Sequence, residues 1–279
     1  MSPAAKALTA HAISVAGYPG VEVRPERRSP LPPILWLHGV TNVPEYATPF
    51  LQEFAAMGFP ALALARRGRL GVPPQDPRSI TFDDYLADCL RVFDATGGEA
   101  VVLGHSQGGL LALKLAELRQ PPAVVLLAPL PPRGILAAAP RLQTLPASMS
   151  SLGAILAGAR FQPTLRQATA LFLNNVPRHL RLDVYRQGVP DSGRSLRAAY
   201  VPGVPVDPGL VLGPLLCVSG GLDRTIPAAA VGRVARRYKG SWLNFEDCGH
   251  EFLHEPQGPR VAREIGSWIK ARVQDRDSR

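Results

Sequence analysis

Short apolar runs alternate along this chain with segments whose apolar residues recur every three to four positions. Ile34-Leu35-Trp36-Leu37 is such a run, stopped by His38-Gly39, and the spacing of Phe50, Leu51, Phe54 and Met57 ahead of Gly58 predicts an amphipathic helix. Phe59 to Ala65 is the next run. Beyond the Gly/Pro/Arg loop from Arg66 to Pro77, Thr81 and Asp84 form a capping pair before Tyr85, Leu86, Cys89, Leu90 and Phe93, a helix closed by Gly97-Gly98. The alternation continues through Val101 to Leu103, a Leu-rich helix from Leu110 to Arg119, and Ala123 to Leu127. It resumes with Leu215 to Ser219, a helix over Ala228 to Tyr238, Trp242 to Phe245 and a closing helix from Gly258 to Ala271. Runs that are apolar at every position are buried on both faces, so this order predicts an α/β fold: a mostly parallel sheet with helices on both sides. Ala10 to Val23 supplies one or two early strands, and Arg24 to Pro33 reads as a connector. The chain carries no internal repeat.

From Leu130 to about Pro205 the rhythm breaks. The stretch is rich in Pro, Ala, Leu and Arg, has helical patches such as Leu165 to Leu173, and shows no convincing strand. It is too long for a structureless loop within a compact domain. The expected organisation is therefore a core over residues 1–129 and 206–279, interrupted by a helical lid over 130–205. Leu136, Leu142, Leu145, Leu152, Ile155, Leu156 and Phe161 would either roof a pocket or form the insertion's own small core; a separately folding domain is the second reading.

Candidate chemistry concentrates where Val101-Val102-Leu103 runs into Gly104-His105-Ser106-Gln107-Gly108-Gly109. A serine at the tip of a sharp strand-to-helix turn needs neighbours without side chains, and Gly104 and Gly108 stand at those positions. The helix start that follows offers free N–H groups and partial positive charge to a developing oxyanion, with Gln107 as the expected donor. A serine hydroxyl is a weak nucleophile until a histidine takes its proton and a carboxylate holds that histidine in place. Ser106, Asp223 and His250 supply the set, each just beyond a predicted strand. In a parallel sheet those strand ends share one edge, so the three loops are expected to converge.

With these residues in view the chain resembles the α/β-hydrolase superfamily from about Ile34 to Ile269. The resemblance is carried by His38-Gly39, Gly104 to Gly109, Gly221-Leu222-Asp223-Arg224 with Ile226-Pro227, and Gly249-His250 with Glu255-Pro256. It implies the α/β-hydrolase fold, Ser106 as nucleophile, Asp223 as acid and His250 as base. It implies an oxyanion hole of the Val40 and Gln107 N–H groups, and no metal or organic cofactor. Two departures stand out: Arg66-Arg67-Gly68-Arg69 replaces a loop that in many relatives has Asp and His around the Arg-Gly, and the lid matches no particular subfamily. The expected function is a cofactor-free serine hydrolase acting on an ester, lactone or thioester of a largely apolar small molecule. A non-hydrolytic lyase, cyclase or isomerase on the same fold is the alternative, and a catalytically silent ligand-binding protein a third.

Other features change this picture less. His250-Glu251-Phe252-Leu253-His254 matches the H-E-x-x-H zinc motif, but Gly249 and Pro256 oppose the helix that motif requires. Glu246 and Asp247 are rival partners for His250, His38 is expected to order the oxyanion loop, and His105 to pack against a neighbouring strand. His11 and His179 read as surface residues. Cys89, Cys217 and Cys248 are odd in number and far apart, which implies no disulfide framework.

The 279 residues are 46% hydrophobic, and 31 Lys and Arg against 22 Asp and Glu give a net charge of +9. The basic residues are scattered and lack the aromatic interleaving of a nucleic-acid site, so a solvated basic surface is expected, one suited to acidic substrates or an acidic carrier protein. No run approaches the roughly 18 apolar residues of a membrane span, and the first 16 residues make a poor signal peptide, so a cytoplasmic location is expected. A homodimer accords with the superfamily, though no interface is legible in the sequence.

Overall fold

The computed structural model describes residues 8–135 and 152–277. A hairpin of β1 (Ala10–Val15) and β2 (Tyr18–Val23) opens the chain, followed by β3 (Ile34–Leu37), α1 (Thr48–Ala56), β4 (Ala61–Leu64), α2 (Phe82–Ala95), β5 (Val101–His105), α3 (Gln107–Arg119) and β6 (Val124–Leu127). After the insertion come β9 (Leu215–Gly220), a helix over Ala228–Arg237, β10 (Ser241–Phe245) and a last helix over Gly258–Asp277. The eight-stranded sheet has the order β1-β2-β4-β3-β5-β6-β9-β10. Every pairing from β4 to β10 is parallel, and β2 alone runs against the other strands, antiparallel to both β1 and β4. This is the α/β-hydrolase architecture.

The all-apolar runs feed two cores at once, because successive side chains of a strand point to opposite faces. In β6, Val124 and Leu126 join the layer under α2 and α3. Val125 and Leu127 join the layer under α1 and the last helix, with Phe50, Phe54, Val261 and Ile265. The Thr81–Asp84 capping box forms at the start of α2 in both directions.

Between β6 and β9 the chain leaves the sheet. The insertion carries α4 (Leu165–Leu171), α5 (Arg181–Arg186) and α6 (Gly193–Tyr200), and it also contains strands where none was expected: β7 (Arg160–Phe161) pairs antiparallel with β8 (Asp191–Ser192). Two-residue strands carry no period that a sequence pattern could reveal. Leu136, Leu142 and Leu145 lie outside the described residues. Ile155 and Phe161 are buried in the core with Leu196, whereas Leu152 and Leu156 are exposed, so none of these four lines the cavity described below.

Candidate active site

The strand order reverses between β3 and β5, the place at which open α/β sheets leave a crevice beyond their C-terminal strand ends. Ser106 follows β5 directly with φ +54° and ψ −116°, a strained backbone for a residue with a side chain. The strain is held in place by hydrogen bonds: its N–H donates to Leu127 O (2.9 Å), and its carbonyl accepts from Gly109 N (3.0 Å) and Leu130 N (2.9 Å). A Cβ on Gly104 would collide with the Gly108 carbonyl, and one on Gly108 with the Leu37 carbonyl, so the close packing of helix on strand admits only glycine at both positions.

Asp223 lies beyond β9 and His250 beyond β10, and both are buried. His250 Nδ1 and Asp223 Oδ2 are 2.7 Å apart, and Asp223 Oδ1 accepts from the N–H groups of Thr225 (2.7 Å) and Ile226 (2.9 Å). The carboxylate therefore holds Nδ1–H and leaves Nε2 for the cavity that Ser106 and His250 both line. Burial pushes the His250 imidazole down, but the Asp223 carboxylate, its hydrogen bond and the charges of Glu251 and Glu255 outweigh burial and hold it above its ordinary value. Neither sequence rival competes for it: Asp247 pairs with Arg260, and Glu246 accepts from Asn244.

The loop after β3 lies against Ser106; a Cβ on Gly39 would sit 3.3 Å from its Cβ. Val40 follows on the cavity wall, and Gln107 is the first residue of α3. Neither N–H has an acceptor among the described residues. The structure thus brings Ser106, Asp223, His250, Val40 and Gln107 to one sheet edge. His105 serves as a strut, with Nε2 2.9 Å from His250 O and its ring stacked on Trp36, and burial pushes it down to about 4. Residues 250–254 do not form the helix a zinc motif needs; Phe252–His254 is a single 3-10 turn. Cys89, Cys217 and Cys248 are free and buried.

Insertion residues also line the crevice: Phe172, Leu173, Val184, Tyr185 and Val189 share the cavity with Ser106. The insertion also braces the loops that hold Asp223 and His250: Asn174 donates to Leu222 O (3.1 Å), and Asn175 bonds Asp247 O (3.0 Å) and Glu255 (2.7 Å), whose other contact is Gly249 N–H (2.7 Å).

A buried polar cluster behind the β3 loop was not legible in the sequence. Arg66 and Arg69, which the sequence places in a Gly/Pro/Arg loop that departs from the family pattern, are both buried. Arg69 forms an ion pair with Asp191 of the insertion and donates to Asn42 O (2.8 Å) and Tyr85 Oη (3.1 Å). Asp191 also accepts from Tyr85 Oη (2.7 Å) and Thr41 N–H (2.8 Å), while Val189 N–H donates to Thr41 O (2.7 Å). Burial alone would raise the Asp191 carboxyl, but Arg69, Arg66, Tyr85 and the Thr41 N–H hold it below the usual range. Arg67 pairs instead with Asp88 and Asp84, both at 2.7 Å, on the outer side.

A sheet edge that gathers a strained serine, a carboxylate-held histidine and two free N–H groups is the arrangement of an α/β-hydrolase. The chain belongs to the alpha/beta hydrolase family, whose model matches residues 34–264. Among solved structures it is similar to the monoacylglycerol lipase of Paleococcus ferrophilus, with 18% identity over 95% of this chain and 99% of that one and a TM-score of 0.65. It is likewise similar to a soluble variant of monoglyceride lipase from Saccharomyces cerevisiae, with 14% identity, 96% of each chain covered and a TM-score of 0.67. Est1E from Butyrivibrio proteoclasticus is 16% identical over 95% of this chain and 99% of that one, with a TM-score of 0.61. Among curated proteins, none matches this chain in sequence.

Proposed function

We propose that this protein is a serine hydrolase that cleaves an ester, lactone or thioester of a largely apolar small molecule through an acyl-enzyme. The observation that carries the reading is the buried 2.7 Å contact between His250 Nδ1 and Asp223 Oδ2, beside a positive-φ Ser106 on the same cavity. His250 Nε2 takes the Ser106 proton as Oγ attacks the carbonyl carbon; the carbonyl oxygen becomes negative and is met by the N–H groups of Val40 and Gln107. Collapse expels the alcohol or thiol, which receives the proton from His250. Water, deprotonated by the same histidine, then releases the acid. Asp223 keeps the imidazole in the right tautomer and stabilises the imidazolium.

The apolar character of the substrate rests on Phe172, Leu173, Val184 and Val189, and these residues give the insertion the role of a lid. Besides Ser106, His105 and His250, the polar side chains on the cavity are those of Thr41, Asn42, Gln162 and Glu251, with the hydroxyls of Tyr46 and Tyr185. Lipases among the structural neighbours accord with this reading.

Intact-mass analysis after brief exposure to a small fluorophosphonate tests it. Wild type is expected to gain one adduct and Ser106→Ala none, and Ser106→Ala should lose ester turnover by several orders of magnitude. Folded wild type that gains no adduct, or a Ser106→Ala variant that keeps most of its turnover, would overturn the reading in favour of lyase or cyclase chemistry.

A further inference from the structure

Arg66 is a buried cation without a carboxylate of its own. Asp191, the carboxylate of its cluster, is engaged by Arg69, and Asp88 by Arg67. The Arg66 guanidinium lies 4.3 Å over the Tyr85 ring, and its Nε and Nη1 are buried with no hydrogen-bond partner among the described residues. Its Nη2 does find partners, and they are particular ones: Gly39 O at 3.1 Å and Gln107 Oε1 at 3.3 Å, with His38 Nδ1 alongside at 3.2 Å. Nη2 carries two hydrogens, which Gly39 O and Gln107 Oε1 accept; His38 Nδ1 also lies 3.1 Å from Gly39 O and, as Nδ1–H, donates to it.

Gly39 O and the Val40 N–H belong to one peptide unit. The unit is planar and trans, so a group that fixes the carbonyl on one side fixes the direction of the N–H on the other. The residue carrying the second free N–H, Gln107, is held by its side chain to the same Nη2. One nitrogen thus touches both residues whose N–H groups face the place where negative charge develops. Native proteins rarely leave guanidinium nitrogens buried and unpaired, and such a group calls for a reason other than stability.

We propose that Arg66 is a positioning residue for the oxyanion site: through the Gly39–Val40 peptide and the Gln107 side chain it aims both N–H donors, and its uncompensated charge favours an oxyanion across that peptide. The inference rests on the Ser106 reading above. It extends that reading to a residue that touches neither substrate nor the reacting atoms.

Saturation kinetics of fluorophosphonate labelling separate the two. The phosphonyl oxygen occupies the oxyanion position during attack, so the maximal labelling rate reports the aim of the donors, while the half-saturating concentration reports ground-state binding. Arg66→Met is expected to lower the maximal rate by about a hundredfold with half-saturation unchanged, comparable to loss of one oxyanion donor. Its melting temperature should be equal to wild type or higher, since a buried unpaired charge has been removed. Arg66→Lys, which keeps the charge and a donor, should recover about tenfold of that loss. A folded Arg66→Met that labels within about threefold of wild type overturns the inference and leaves the serine hydrolase reading intact. So does a change confined to half-saturation, or a rate loss matched by a fall in melting temperature that Arg66→Lys does not relieve. If Arg66→Met does not fold, Arg66→Lys decides: a rate about tenfold below wild type at unchanged half-saturation supports the inference, and an unchanged rate overturns it. Wild type that takes no label overturns both.

Discussion

His250 is buried between opposing influences, and the sign of their sum is open to experiment. In the reaction proposed above His250 is the general base, and a general base works only when neutral. With Asp223, Glu251 and Glu255 outweighing burial, His250 keeps its proton to a higher pH than an ordinary imidazole near 6.5. Turnover is therefore expected to rise with pH through a midpoint above 6.5, and a rate profile of kcat/KM against pH measures it. Asp223→Asn should cut kcat by about 10⁴-fold, because an amide can present its N–H₂ to Nδ1 and leave the proton on the wrong nitrogen. Ser106, Asp223 and His250 were legible because each follows an apolar run and is flanked by glycine. Arg66, Arg69 and Asp191 were not, because an arginine-rich, proline-rich loop carries the composition of solvent-facing chain. Their burial comes from tertiary partners 16 to 150 positions away.

The elbow depends on one helix packed tightly against two strands at a point. α3 starts so close to β3 and β5 that a methyl group on Gly108 would enter the space of the Leu37 and His38 carbonyls. Backbone carbonyls cannot move aside as a flexible side chain can, so the whole helix would have to shift. Gly108→Ala is expected to destabilise the protein by about 3 kcal/mol or more and to lower its melting temperature measurably. Gly153→Ala, where a Cβ meets nothing within 4 Å, is the control that should not lower the melting temperature. The core strands were readable at this scale since a run buried on both faces has a simple signature. The insertion was readable only as a change of rhythm. Its β7 and β8 pair across a gap of about 30 residues, and its Asp191 is bonded by Thr41 of the loop after β3 and Tyr85 of α2; local pattern contains no trace of these partners.

The molecule as a whole buries two neutral histidines at its centre. Burial drives His105 down to about 4, and burial with the charges of Arg66 and Arg69 drives His38 well below its usual value. An unfolded chain takes up protons on both from about pH 6.5 downward, while the folded chain does not, so between 6.5 and 4 the unfolded state binds more protons. Stability is expected to fall as pH drops through that window. Thermal melts from pH 7 to pH 4 should show the decline, and His105→Gln should flatten it.

The place of β9 in the sheet has one more consequence, which concerns how the protein is made. β9 pairs with β6 along Val124 to Leu127, yet the two are separated by the entire insertion. While a ribosome adds residues 128–214, roughly 4 to 17 s at ordinary elongation rates, β6 has no neighbour on that side. An unpaired apolar strand edge is a template for any other chain that meets it. Newly made molecules are thus most vulnerable to one another in those seconds, and yield in a host cell should depend more on chaperone supply and temperature during synthesis than on the stability of the finished fold.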